Sequence, residues 1–300
     1  MGNSTYSSII DPSLYCRIMD DHFCLAEADA AAIRFVKSFR DNPHWNGYIM
    51  EGGSGPGRFT NKLHEAVSDV TVIAVDHDVM YQGYARNHCK HRNRVQYIFE
   101  DCTKPQSWFS VPLIVLQGVF HHFPTQDGTR ARAFQTFRSF LPSGGRLIVS
   151  DEFLAPYEDE EQRMCNAIQW YSHVVALAQP ALAVEEAKTL LDDLPKLAGP
   201  KTCHQINLII QTSVNIKELV TDGQLLAARD ASLQLYSALL RMRPARAPLD
   251  WTMSLSRGDE KCDVRRFLEL ATPYFKVVSS ESFGPMETCG GFVVFEFEAI

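Results

Sequence analysis

An α/β fold is predicted for this chain: a seven-stranded, mostly parallel sheet with helices on both faces, an antiparallel last strand and a helical insertion after strand five. Three observations predict it. Short apolar runs of strand length alternate with segments of helical spacing between residues 48 and 150. The rhythm then gives way to a stretch of almost continuous helical spacing, residues 158–243. It returns near the C-terminus as one helix and two strands whose connection is too short for a parallel crossover.

Each element has its own signal. Phe23, Ala26, Ala30, Ile33 and Val36 recur at helical spacing, so a helix over about 20–39 precedes the first strand. Strand one is Tyr48-Ile49-Met50, followed by a glycine-rich turn and a helix over Phe59–Val67. Strand two is the apolar run Val70–Val75, with a helix over Val79–Asn87 behind it. Val95–Phe99 and Leu113–Leu116 are strands three and four. A helix over Thr129–Leu141 stops at Pro142-Ser143-Gly144-Gly145, and Arg146–Ser150 is strand five. Apolar strands separated by helices mean a parallel sheet covered on both faces. Pro180, Pro195 and Gly199-Pro200 punctuate the helical stretch. A helix over Asp263–Leu270 and strands at Phe275–Ser279 and Phe292–Phe297 complete the sheet. The expected division is residues 1–157 and 257–300 for the sheet domain, with 158–256 as the insertion.

Composition narrows the function. The 300 residues are 45% hydrophobic, enough for one large core with an insertion. Net charge is −7 and no dense Lys/Arg block appears, so the footprint of a nucleic-acid binder is missing. Eight cysteines are scattered singly, without the paired spacing of a zinc site or the tight cluster of an iron–sulfur centre. No metal is expected. The polar start lacks an apolar signal core and no run approaches the ~18 apolar residues of a membrane span, so a cytoplasmic protein without a membrane partner is expected.

The most informative stretch is Glu51-Gly52-Gly53-Ser54-Gly55-Pro56-Gly57, between the first strand and a helix. Alternate glycines let the backbone turn tightly and let a ligand lie against it without Cβ interference. In an open α/β sheet, ligands bind beyond the carboxyl ends of the strands where strand order reverses. A dinucleotide motif would need a third glycine where Arg58 or Thr60 stands. Glu51 also opposes a pyrophosphate, whereas it suits a ligand's ammonium group.

These residues resemble the class I, Rossmann-like S-adenosylmethionine (SAM)-dependent methyltransferases, of the type acting on small molecules. The first motif of that superfamily, acid-x-Gly-x-Gly-x-Gly, is matched by Glu51, Gly53, Gly55 and Gly57. The resemblance implies that Asp76, ending strand two, holds the ribose hydroxyls and that Asp101, beside Cys102, contacts the adenine amino group. Gln117-Gly118-Val119-Phe120-His121-His122-Phe123 is similar to the family's turn after strand four. Two departures stand out: Ser110-Val111-Pro112 replaces the acid that usually opens strand four, and Gln117 stands where a small residue or Asn is usual. The implied cofactor is SAM, leaving as S-adenosylhomocysteine (SAH). Implied cofactor-binding residues are Glu51, Gly53, Gly55, Gly57, Asp76, Asp101, Cys102 and Gln117.

Methyl transfer from a sulfonium is an in-line displacement, so the protein mainly positions the acceptor and keeps water out. His121 and His122, just past strand four, are the candidate bases, with Asp151 as a further catalytic candidate. Glu152, Trp170, Tyr171 and His173 are candidate acceptor-binding residues. The insertion is expected to be a lid and acceptor pocket, with a homodimer surface as its other use. The acceptor expected is a small, partly apolar molecule methylated on O or N. The competing function keeps the SAM-binding fold without methyl transfer, as a lyase, a cyclase or a SAM-sensing protein.

Overall fold

The computed structural model describes residues 12–20, 22, 24–104, 110–125, 128–159, 162–163, 166, 170, 218, 222, 224 and 261–300. The helical insertion expected over 158–256 lies almost wholly outside the described residues. The described residues form a seven-stranded sheet in the order β3-β2-β1-β4-β5-β7-β6. The strands are β1 (Tyr48–Gly52), β2 (Thr71–Asp76), β3 (Val95–Phe99), β4 (Leu113–Gln117), β5 (Arg146–Leu154), β6 (Phe275–Phe283) and β7 (Gly290–Ala299). The first five are parallel, and β7 lies antiparallel between β5 and β6. The strand order reverses between β1 and β4, which places a ligand crevice at their carboxyl ends.

Six described α-helices flank the sheet: α1 (Pro12–Asp20), α2 (Leu25–Phe39), α3 (Arg58–Ala66), α4 (Val79–His88), α5 (Thr129–Phe140) and α6 (Val264–Ala271). One core joins Ala28, Ala32, Val36 and Phe39 of α2 to Ile49, Val72, Val115, Ile148 and Val294 on one sheet face. The other joins Phe134 and Phe137 of α5 and Phe267 of α6 to Ile114, Leu116, Val149 and Phe295. Odd and even strand positions go to opposite faces, so the helical layers fix which rim side chain looks which way.

The N-terminal helix differs from its expected form. It starts at Leu25, after Cys24, the one non-glycine residue with positive φ (61°) among those described, and a separate helix, α1, ends at Asp20. The sheet is also longer than the hydrophobic runs suggested. β5 extends to Leu154 because β7 pairs with it along Arg146–Leu154, four residues past the last β4 partner at Ser150. Asp151 and Glu152 therefore sit within the strand and alternate to opposite faces of the sheet. β6 and β7 likewise run to Phe283 and from Gly290, since the mostly polar, largely exposed Ser279–Ser282 still pairs as an edge strand.

Candidate active site

The glycine turn is left-handed at all three motif glycines, with φ of +67° at Gly53, +53° at Gly55 and +81° at Gly57. A side chain is strained in that region, which is why the motif repeats glycine there. The turn is folded back onto β2: the Gly53 and Ser54 amides donate to Val75 O, at 2.8 and 3.1 Å. The Gly55 amide donates to Asp76 Oδ2 at 2.7 Å, and the Asp78 amide to Oδ1 at 2.7 Å. Each Asp76 oxygen thus has one backbone donor and lone-pair capacity left for another. Burial pushes the Asp76 pKa up, against the pull of those two amides. A Cβ on Gly55 would meet nothing nearer than Tyr81 Cδ2 at 3.7 Å, so the turn is open there. On Gly53 it would lie 2.1 Å from Val119 Cγ2, which shows that the segment after β4 is pressed against the turn.

Glu51 is buried on the α2 face of the sheet and accepts from Thr60 Oγ1 at 2.5 Å. Burial raises its pKa to about 8, only partly offset by Thr60 and Arg58. A carboxyl in that state gains from a cationic neighbour. At the far end of the crevice, Asp101 accepts from the amide and hydroxyl of Thr103, at 2.9 and 2.7 Å, and pairs with Lys104. Although burial raises its pKa, those contacts hold it below the ordinary carboxylate value. Cys102 is buried against Gly52, and burial pushes its thiol pKa up.

A second cluster of candidate residues is built by β5 and the turn Phe120–His122. Asp151, with no exposed surface, accepts from the amides of Phe120 at 2.6 Å and Glu152 at 2.7 Å, and pairs with His121 Nδ1. A carboxylate already accepting two N–H groups takes a third from the imidazole, so the proton of the neutral ring sits on Nδ1 and the lone pair on Nε2. The His121 and His122 rings lie with centroids 3.9 Å apart. Arg130 of α5 braces this turn from behind, donating from Nε to Phe123 O at 2.9 Å with its guanidinium over the Phe120 ring.

Glu152 points to the opposite face. It meets His22 Nε2 at 3.4 Å, Lys261 Nζ at 3.2 Å and Trp170 Nε1 at 2.6 Å, all buried or nearly so. Burial raises its pKa, but Lys261 and His22 outweigh that and hold it well below the ordinary value. Glu152 and Trp170, two of the four acceptor candidates, are therefore bonded to each other. Tyr171 and His173 lie outside the described residues.

Several residues of this region carried no motif. Asp29 of α2 is buried and takes a two-pronged contact from Arg58 at 2.7 and 3.0 Å, with Lys62 and Gln117 each donating to it. Asp20 reaches the same Arg58 and Lys62, so α1 and α2 are tied to the exit of the glycine turn. The signal for Asp29 was an acid on the apolar stripe of an Ala-rich helix, beside Ala28 and Ala32. His22 and Lys261 are held by tertiary packing alone and left no local signal. Among the described residues no group of acidic, histidine or cysteine side chains is arranged to hold a metal ion, and no helix is long and apolar enough to cross a membrane.

A family model described as a methyltransferase domain matches residues 49–145, from β1 to the approach to β5. No curated protein matches the chain. Among solved structures, N-methyltransferase NodS from Bradyrhizobium japonicum WM9 in complex with SAH is similar at TM-score 0.50 and 12% identity, covering 96% of each chain. A TehB-like SAM-dependent methyltransferase from Corynebacterium glutamicum ATCC 13032 Kitasato matches at TM-score 0.44 and 13% identity, over 90% of this chain and 87% of that one. The mitomycin 7-O-methyltransferase MmcR matches at TM-score 0.45 and 10% identity, over 92% of this chain and 54% of that one. The described sheet and its helices have the class I, Rossmann-like fold of the SAM-dependent methyltransferases, and residues 49–145 within it match the methyltransferase domain model.

Proposed function

We propose that the protein transfers a methyl group from SAM to an O or N atom of a small, partly apolar molecule, releasing SAH. One observation carries the reading. Three polar atoms on the rim of the crevice, Ser54 Oγ, Tyr81 OH and Gln117 Oε1, are buried and find no hydrogen-bond partner among the described residues, beside an open left-handed glycine turn. Unpaired buried polar groups are costly and are rarely kept without a ligand or water to satisfy them. The residues fit an adenosyl cofactor: Asp76 for the ribose hydroxyls, Asp101 beside Cys102 for the adenine end, Glu51 for the ammonium.

Bound SAM supplies an electrophilic methyl group on a sulfonium. The chain's own residues do the rest. His121, its Nδ1 proton fixed on Asp151, is fit to take the acceptor's proton at Nε2, with the tilted His122 ring beside it. Glu152 and Trp170 wall the neighbouring side, and the insertion over 158–256 serves as acceptor lid.

The test is incubation with methyl-labelled SAM and a panel of hydroxylated and amino aromatic compounds, with SAH calorimetry in parallel. Label transfer to an acceptor supports the reading. SAH binding without transfer to any acceptor favours a SAM-sensing role, and absence of SAH binding overturns both.

A further inference from the structure

Arg130 stands where a cation is unfavourable. It is the second residue of α5, in the turn that carries the positive end of the helix dipole, and the capping residue, Gly128, has no side chain to offset it. Arg130 is also buried, at 5% exposure, and a guanidinium keeps its proton at any working pH. Such a charge is costly to bury unless an opposite one compensates it.

The side chain is spread over the back of the turn after β4. Nε donates to Phe123 O at 2.9 Å, Nη2 donates to His121 O at 3.4 Å, and the guanidinium carbon lies 4.8 Å from the centre of the Phe120 ring. Asp151 grips the same turn from β5, through the Phe120 amide and His121 Nδ1. The turn is thus held between a buried cation and a buried anion. The Cys262 thiol is within electrostatic reach of both: burial raises its pKa to about 11, Arg130 pulls it down and Asp151 pushes it up.

The balance matters for the imidazole. A buried carboxylate by itself favours the imidazolium form of a neighbouring histidine, which has no lone pair to offer. Of the other groups facing this region, Glu152 of β5 is met by Lys261 and His22, Asp263 by Arg266, and the His122 ring lies beside that of His121. We propose that Arg130 is a positioning residue for His121: its fixed charge balances Asp151 across the Phe120–His122 turn and keeps the imidazole neutral, with the proton on Nδ1 and the lone pair on Nε2. What Nε2 accepts rests on the function proposed above; the charge balance does not.

The experiment uses the full chain with Arg130→Gln, which keeps a donor for Phe123 O and drops the charge, and Arg130→Lys, which keeps the charge and gives up the fork. The readouts are the pH dependence of turnover, SAH calorimetry, and an NMR titration of the His121 ring, its signal assigned by its absence from His121→Ala. Without the cation the ring protonates more readily. Arg130→Gln should therefore move the acid limb of the turnover profile and the His121 titration up by about one to two pH units, with SAH affinity within a few-fold. Arg130→Lys should bring both back to within about half a unit of the unsubstituted protein, even where poorer hydrogen bonding lowers the plateau. Turnover lowered at every pH with both curves unshifted means a brace without an electrostatic role and overturns the proposal, as does an equal shift in the two variants. If SAH does not bind or no acceptor is methylated, methyl transfer fails as the function, and the titration alone judges the charge balance by the same criterion. If Arg130→Gln does not fold, the ring-nitrogen NMR shifts of the unsubstituted protein at about pH 7 decide. A neutral His121 with its proton on Nδ1 supports the balance, and an imidazolium overturns it.

Discussion

The carboxyl group of Glu51 and the hydroxyl of Thr60 form a buried hydrogen bond of 2.5 Å between the end of β1 and the first turn of α3. Burial lifts the Glu51 pKa to about 8 from an ordinary 4.5. An acid whose folded pKa is raised contributes stability that is complete below its unfolded value and lost as pH rises through the folded one. Stability without ligand should therefore decline between about pH 4.5 and pH 8 in part through Glu51, and Glu51→Gln should remove that part. Urea denaturation across that range measures it, and parallel curves for the two proteins would count against the raised pKa. Pairing Glu51 with a ligand's ammonium should also release a proton at pH 7, visible as a buffer-dependent heat of SAH binding that Glu51→Gln abolishes.

Gly53→Ala should be among the harshest substitutions in the turn. The new methyl group meets Val119 Cγ2 at 2.1 Å, on a residue with φ of +67°. Backbone strain and the clash together are expected to cost about 2–4 kcal/mol. Adding Val119→Ala relieves the clash and leaves the strain, so the double variant should recover part of the loss. Thermal denaturation of both variants beside the unsubstituted protein decides it; no recovery would mean that strain alone sets the cost.

Removing the imidazole in His121→Ala should lower turnover by ~10²–10⁴ and leave SAH affinity within a few-fold. Asp151→Asn keeps the side chain's shape but offers a donor where three N–H groups converge, so it should lower turnover and also loosen the Phe120–His122 turn. Single-turnover kinetics paired with SAH calorimetry separates the two. Full turnover in His121→Ala would move the base elsewhere or show that positioning alone carries the reaction.

Lys261→Met leaves Glu152 buried beside His22 and Trp170 without its principal cation, and should cost about 3–5 kcal/mol. The double variant Lys261→Met/Glu152→Leu should be less destabilised than Lys261→Met alone, since no uncompensated charge remains. In the unsubstituted protein, the depressed Glu152 pKa means that this contribution is present above about pH 4.5 and is lost as acid titrates the folded carboxylate. Chemical denaturation at neutral and acid pH provides the measurement.

The sheet was readable because a buried parallel strand is a continuous apolar run, and Val72–Val75 or Leu113–Leu116 could hardly be anything else. β6 was read short because Ser279–Ser282 pairs through its backbone while its side chains are largely exposed. The glycine turn and Asp76 were legible through residue type and spacing. Asp29 was overlooked although an acid on an apolar helix stripe was visible. His22 and Lys261 could not have been found, because their partner Glu152 is 130 and 109 residues away and only folding brings them together.

The chain leaves the sheet and comes back to it at one spot. The Leu154 amide donates to Cys262 O at 3.0 Å, and Leu154 bridges Asp263 in parallel fashion. A detour whose ends are already stitched together imposes little on its host, because the entropy of closing it grows only with the logarithm of its length. The segment between can be lengthened, shortened or exchanged while the sheet folds as before, provided that Trp170 and Lys261, which hold the buried Glu152, are kept. On the function proposed above, acceptor choice is then free to drift with this segment, and a chimaera with its junctions between Trp170 and Lys261 is the way to transplant it.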